Sequence, residues 1–147
     1  MYKRILLPLD GSALAEQALP HAVAHADHFR AELILLRVLV PIPRPPTAAP
    51  GPLKTAEEVT MKITREYLER LAADVQERDI RVKLATTVGR PHLQIIEYAE
   101  TNQVDLIVIC SRGQSGLSRW LMGSVSDRVV RGANVPVLLV RAQKKET

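Results

Sequence analysis

A chain of 147 residues with 46% hydrophobic and 24% charged side chains has the size and composition of one globular domain, which excludes fibrous and low-complexity proteins. A single cysteine excludes a disulfide framework and a thiolate zinc site, and it favours a reducing, cytosolic compartment. The net charge of +4 is spread along the chain without interleaved aromatic residues, and no apolar run approaches the ~18 residues of a membrane span. We therefore expect neither a nucleic-acid site nor a membrane anchor.

The chain begins with a strand, a turn and a helix. The apolar run from Arg4 to Leu9 predicts a buried strand, and Asp10-Gly11-Ser12 predicts a tight turn whose serine caps the helix that follows. Pro20 falls inside a helical pattern that continues to His28. Since proline removes one backbone hydrogen bond, we expect a single helix with a bend at that point.

A second strand, a proline-rich connection and a long helix come next. The near-continuous apolar run from Glu32 to Leu39 is typical of a parallel strand covered on both faces. Residues 41–53, approximately, carry six prolines and predict an extended loop, either a lid or a disordered excursion. A helix is predicted from Thr55 to Arg78. Its apolar residues recurring at helical intervals are Val59, Ile63, Tyr67, Leu71 and Val75.

Strands and helices alternate through the rest of the chain. Strands are predicted over 81–88, 104–109 and 135–140. A helix that begins at Pro91 is predicted between the first two strands, and a helix that contains Val129 is predicted between the last two. This alternation predicts an α/β fold. We expect a doubly wound, Rossmann-like five-stranded parallel sheet in the order 3-2-1-4-5, with helices on both faces and one domain over residues 1–147.

The most informative stretch follows the fourth strand. The chain passes from an apolar run at Ile107 into a small-residue turn at 110–113, and a second glycine-serine pair occupies 123–124. Backbone N–H groups and hydroxyls in such turns face phosphates readily, so nucleotide binding is the leading hypothesis, with plain chain reversal as the alternative. Ligands of an open parallel sheet bind beyond the carboxyl ends of its strands, where the turns after strands one, two and four can meet.

These residues resemble the universal stress protein family over nearly all of the chain, from the opening Ile-Leu-Leu-Pro-Leu-Asp-Gly-Ser to the closing Pro-Val-Leu-Leu-Val. The ATP-binding branch of that family carries Gly, two residues, Gly, nine residues, Gly, then Ser or Thr. Here the pattern falls on Cys110, Gly113, Gly123 and Ser124, so cysteine replaces the first glycine. The nucleotide-binding residues that the resemblance implies are Pro8, Leu9, Asp10, Val38, Cys110, Gly113, Gly123, Ser124, Val125 and Ser126.

The resemblance also implies a function: a cytosolic stress-response protein that binds ATP or another adenine nucleotide as a regulatory switch. Whether Mg²⁺ accompanies the nucleotide stays open. Members of the family commonly form dimers through the fifth strand, here Val137 to Val140, and a long apolar edge strand favours such pairing. A homodimer is therefore expected.

The alternative is a nucleotide-free dimeric interaction module of the same fold. In that case Cys110 impairs the pocket, either by crowding the ligand or by blocking a positive φ. No residue pattern assigns a nucleophile, a base or a metal site, so no catalytic residue is predicted. The histidines His21, His25 and His28 recur at helical spacing, and we expect them on the surface rather than around a metal ion.

Overall fold

The computed structural model describes residues 1–41, 43, 50–111 and 123–143, with side chains described from residue 56 onward in the helix that begins at Pro50. Within these ranges five parallel strands form one sheet in the order β3-β2-β1-β4-β5. The strands are β1 (Arg4–Leu9), β2 (Glu32–Leu39), β3 (Val82–Val88), β4 (Leu106–Ser111) and β5 (Val137–Arg141). The α-helices are α1 (Leu19–Phe29), α2 (Pro50–Gln76), α3 (Pro91–Thr101) and α4 (Ser124–Gly132). The predicted fold class and strand order are confirmed.

Two apolar layers bury the sheet. Leu68 of α2 and Ala22 of α1 pack on one face, while Ile95 of α3 and Val129 of α4 pack on the other. The central strand β1 therefore has buried side chains on both faces from Ile5 onward. This burial explains why β1 and β2 are continuous apolar runs rather than alternating ones.

The first connection differs from the prediction of one bent helix. Residues Ala15–Ala18 form a short 3₁₀ helix, and α1 starts at Leu19 with Pro20 in its first turn. The N–H groups of a first helical turn have no intrahelical acceptor, so proline loses nothing there. Ser12 does cap a helical start, because its Oγ accepts the N–H of Ala15 at 3.1 Å.

The long helix α2 begins earlier than predicted. Residues 50–53, assigned to the proline-rich loop, form its first turn, where the prolines are tolerated for the same reason as Pro20. Residues 42 and 44–49 of the predicted loop lie outside the described residues.

The predicted apolar stripe of α2 is buried only in its carboxyl-terminal half. Val59 and Ile63 are 51% and 61% exposed, whereas Leu71 and Val75 are buried. Residues four apart advance by about 400° at 3.6 residues per turn, so each step drifts by about 40° and Val59 lies roughly 160° around the helix from Val75. The face that packs on the sheet consists of Thr64, Leu68, Leu71, Ala72 and Val75.

A carboxylate joins the starts of β1 and β4. Asp105 Oδ2 accepts the backbone N–H groups of Lys3 and Arg4 at 2.8 and 2.9 Å. Replacing Asp105 by alanine removes the oxygen that accepts both hydrogen bonds, and we expect the free energy of unfolding to fall by about 1–2 kcal/mol in urea titrations followed by circular dichroism. Asp105→Asn retains one amide oxygen and should lose less. Equal losses in the two variants would show that these hydrogen bonds do not stabilise the fold.

Candidate functional site

The order of the strands creates a crevice at the carboxyl edge of the sheet. The chain runs from β1 toward β2 and β3 on one side, and then crosses back to β4 and β5 on the other. Strands β1 and β4 are therefore neighbours, and the helices α1 and α4 pack on opposite faces of the sheet. Asp10 follows β1, Cys110 lies near the end of β4, and Gly123 precedes α4.

The turn after β1 holds a carboxylate at this edge. Pro8 and Leu9 are buried within the strand, and Asp10 follows them half-buried. The backbone N–H and the hydroxyl of Ser12 both donate to Asp10 Oδ1, at 2.9 and 2.5 Å. Gly11 between them has φ +87°, which favours glycine there. The position of the Asp10 carboxylate is thus set by its own turn.

The sequence suggested that Cys110 opens a turn. In the structure Cys110 instead continues β4. Cys110 and Ser111 pair with Val140 and Arg141 of β5, because backbone pairing continues past the end of the apolar run. Within the described residues, Cys110 is not among those with positive φ, so the predicted backbone conflict is wrong. Its S–H donates to the carbonyl of Ser111 at 3.6 Å.

The thiol of Cys110 lies beside the turn after β1. It packs with the apolar layer that contains α1 and α2, and burial raises its pKa. The negative charge of Asp10 raises that pKa further. A protonated, half-buried thiol is a poor nucleophile, so this cysteine acts here through its size and polarity.

Helix α4 begins at the same edge of the sheet. Gly123 precedes the helix, and Ser124 is its exposed first residue. The hydroxyl of buried Ser126 donates to the Gly123 carbonyl at 3.0 Å, and the Asp127 N–H donates to the same carbonyl at 2.9 Å. The first N–H groups of an α-helix have no intrahelical acceptor and carry partial positive charge, so this helix start is suited to an anion. The predicted residue Gly113 lies outside the described residues.

Val38 contributes differently through its side chain and its backbone. Its side chain is buried in the layer of α3 and α4, against which Val125 also packs. Its carbonyl accepts a hydrogen bond from Nη1 of the adjacent Arg37 at 3.2 Å. The resemblance implies that backbone groups of Val38 contact adenine, and one of these groups, the carbonyl, already accepts a hydrogen bond.

Arg37 and Tyr67 are residues of this region that the sequence reasoning missed. The half-buried Arg37 projects over the turn after β1, with Nη2 4.0 Å from the position that a Cβ on Gly11 would occupy. The buried Tyr67 hydroxyl makes no hydrogen bond of acceptable geometry with the described residues. Burial raises the pKa of Tyr67, and the neighbouring carboxylates of Glu16 and Asp10 raise it further.

The sequence contained a signal for the role of Arg37 but none for that of Tyr67. Arg37 is the single charged side chain within the apolar run from Leu33 to Leu39, and such an interruption of a buried strand indicates a specific partner. Tyr67 belongs to the apolar pattern of α2 and is indistinguishable there from a core residue.

The structure gives the histidines local roles. His25 Nδ1 lies 2.8 Å from the carbonyl of His21, and His28 packs edge-on against Phe29. In the part of the chain that the structure describes, no three His, Cys, Asp or Glu side chains are grouped to hold a metal ion. No helix in the described ranges is long and apolar enough to cross a bilayer.

A concave region of about 760 Å³ lies at the opposite edge of the sheet, where the strands begin. Its charged lining residues are Lys3, Arg4, Arg30, Arg81, Glu32 and Asp105. The helices α1 and α3 end there, and cations near a helix carboxyl terminus are stabilised by its dipole. Arg4 accordingly donates to the carbonyl of Asn102, just after α3, at 2.9 Å. These cations have a structural explanation.

This chain is similar to known proteins over nearly its whole length. The model of the universal stress protein family matches residues 1–141. Universal stress protein MJ0531 of Methanocaldococcus jannaschii is 34% identical over 146 residues, which cover 99% of this chain and 86% of that protein. The solved structure of universal stress protein UspA from Lactobacillus plantarum is 26% identical with a TM-score of 0.83, covering 95% of this chain and 98% of that one. A universal stress protein solved in complex with cAMP is 23% identical with a TM-score of 0.68, covering 95% and 96% of the two chains.

Proposed function

The chain belongs to the universal stress protein family, and we propose that it is a cytosolic stress-response protein that binds ATP or another adenine nucleotide as a regulatory switch. The observation that carries the proposal is the start of α4 at the carboxyl edge of the sheet, beside the crevice between β1 and β4. That arrangement combines a glycine, an exposed first-turn serine and unsatisfied N–H groups. In this proposal residues 1–147 form one domain, and that domain carries the nucleotide site.

In this proposal the phosphates bind at the start of α4 and at Gly113. The N–H groups of Ser124, Val125 and Ser126 face the anion, and the absence of side chains at Gly113 and Gly123 lets it approach the backbone. A solved structure of the same fold holds cAMP, which supports an adenine nucleotide as the ligand class.

The nucleoside lies toward β1 and β2. The Asp10 carboxylate is a poor neighbour for phosphate and a good acceptor for ribose hydroxyls or the adenine amino group. Pro8 and Leu9 form the buried end of the strand beneath it, and the Val38 backbone borders the base. The Tyr67 hydroxyl, buried without a hydrogen-bond partner among the described residues, adds a polar group to this wall.

Nucleotide binding would act on a homodimer. Among the described strands β5 is an edge strand that pairs with β4 alone, so Val137 to Val140 can pair with a second copy. Occupancy would bias the conformation at the start of α4, which is connected directly to β5, and so change the surface offered to partners. The proposal is a binding switch and assigns no catalytic residue.

A second candidate function follows from one residue. Cys110 stands where the family's nucleotide-binding pattern has glycine, and its half-buried side chain is affected by the charge of Asp10 at the same edge of the sheet. If that thiol fills space needed by the ligand, the chain is a nucleotide-free dimeric interaction module of the same fold.

Titration calorimetry with ATP, with and without Mg²⁺, separates the two functions. We expect the wild type to bind ATP with a micromolar Kd. We expect Cys110→Gly to change that Kd by less than about fivefold, equivalent to roughly 1 kcal/mol. The reason is that the Cys110 backbone is a regular strand and its side chain packs toward α1 and α2. Cys110→Ala is the matched control that removes the sulfur without adding backbone freedom. Binding only after removal of the sulfur would favour the interaction module, and absence of binding in all three proteins would refute the nucleotide switch.

A further inference from the structure

The carbonyl of Val38 occupies a special place in the sheet. Hydrogen bonds of β2 alternate in direction: the N–H of Glu32 donates toward β1 at 2.9 Å, and the N–H of Leu33 donates toward β3 at 2.8 Å. The carbonyl of Leu39 accepts an N–H from just beyond β3, in keeping with the same alternation. Val38 therefore points its carbonyl to the β1 side.

Strand β1 stops short of that carbonyl. The register between the two strands ends with Leu9 opposite Arg37, and the chain then turns at Asp10. The Val38 carbonyl is thus the first backbone acceptor of β2 that faces the crevice beyond the end of β1. A ligand base lying there would meet this acceptor first.

Arg37 donates a hydrogen bond to the Val38 carbonyl. Its Nη1 donates to the Val38 carbonyl at 3.2 Å, and its Nη2 lies over Gly11. The Arg37 side chain is half-buried, and it follows Leu33 and Leu35 on the face of β2 that α1 and α2 cover. A fixed, partly desolvated fork of N–H donors therefore stands at the place where a base edge would lie.

The two purine bases differ in what they present to such a fork. Adenine carries an amino donor and needs an acceptor opposite it, whereas guanine carries the acceptors O6 and N7. A guanidinium has donors and no acceptor. We propose that Arg37 selects the base, weakening the preference of this site for adenine over guanine by covering the Val38 carbonyl and offering donors instead.

This inference rests on the proposed nucleotide site, and base selectivity is its distinguishing measurement. ATP and GTP share the same triphosphate, so every contact with the start of α4 cancels in the ratio of their dissociation constants. We expect Arg37→Met, which keeps an unbranched stem and removes the fork, to raise Kd(GTP)/Kd(ATP) about tenfold, a typical value for the exchange of charged donors at a base edge. Calorimetry or fluorescence titration at fixed salt measures both constants.

Two further variants control for charge and folding. Arg81→Met removes the same charge at the opposite edge of the sheet and should leave the ratio unchanged. Arg37→Lys keeps the charge without the planar fork and should give an intermediate ratio. Circular dichroism melting curves establish that each variant is folded.

The outcomes separate this inference from the proposed function. An unchanged ratio in Arg37→Met, with both nucleotides bound, overturns base selection and leaves nucleotide binding intact. Loss of both nucleotides in folded Arg37→Met also overturns it, because Arg37 then supports binding without discriminating between bases. Failure of the wild type and every variant to bind either nucleotide overturns the proposed function, and this inference with it.

Discussion

Replacing Ser124 by aspartate should weaken ATP binding at least a hundredfold. Ser124 is the exposed first residue of α4, so its new carboxylate would share the helix start with the phosphates. Two unit charges about 4 Å apart repel by roughly 1–4 kcal/mol, depending on their exposure to water, and the triphosphate carries several such charges. Titration calorimetry of the variant beside the wild type measures the loss.

The same substitution should not harm the fold. An acidic side chain in the first turn interacts favourably with the helix dipole, so the melting temperature of Ser124→Asp should equal or exceed that of the wild type. Ser124→Asn, which adds bulk without charge, is the matched control and should lose much less affinity. If Ser124→Asp binds ATP as well as the asparagine variant, the phosphates do not bind at the start of α4 and the proposed site is wrong.

Replacing Leu139 by proline should convert the expected homodimer to a monomer. The N–H of Ile107 in β4 donates to the carbonyl of Pro136 at 3.0 Å. Because backbone groups alternate in direction along a strand, the N–H and C=O groups of even-numbered residues of β5 point toward β4, and the N–H of Leu139 points away from it. Proline at that position removes a donor from the free edge and leaves the β4 ladder intact. Sedimentation equilibrium reports the change as a fall from twice the chain mass to one chain mass.

Leu139→Ala separates the loss of the donor from the loss of the side chain. Leu139 packs in the layer of α3 and α4, and both variants lose that contact, but only proline loses the outward N–H. We therefore expect the alanine variant to remain a dimer. A monomeric wild type would refute the homodimer itself. Dimers of equal strength in both variants would show that the interface lies elsewhere.

The strands were the most predictable part of this chain. Strands β1 and β2 begin and end at the predicted residues, because both faces of the sheet are covered and their side chains are therefore mostly apolar. The helices were predicted less well. A spacing of four residues indicates a helix but drifts around its axis, so the pattern could not show that Ile63 is exposed and that Thr64 packs on the sheet.

The candidate site was predictable in its location and less so in its contacts. The turn after β1, the end of β4 and the start of α4 lie at the carboxyl edge of the sheet, as the fold class requires. The binding roles of Asp10, Ser124 and the other site residues stay predictions. The length of β4 depends on pairing with β5, and hydrophobicity alone ended that strand too early, before Cys110.

Local residue patterns were enough for the alternation of strands and helices, the parallel sheet with two covered faces and the family, since each of these depends on hydrophobic spacing and short motifs. Tertiary structure decided which atoms face the crevice. The Val38 carbonyl is left without a strand partner because β1 ends opposite Arg37, and the guanidinium of the adjacent Arg37 donates to it while its other nitrogen lies over Gly11. The end of β1 beside β2 and the position of Arg37 over Gly11 join residues far apart in the chain, and no pattern of neighbouring side chains carries that information.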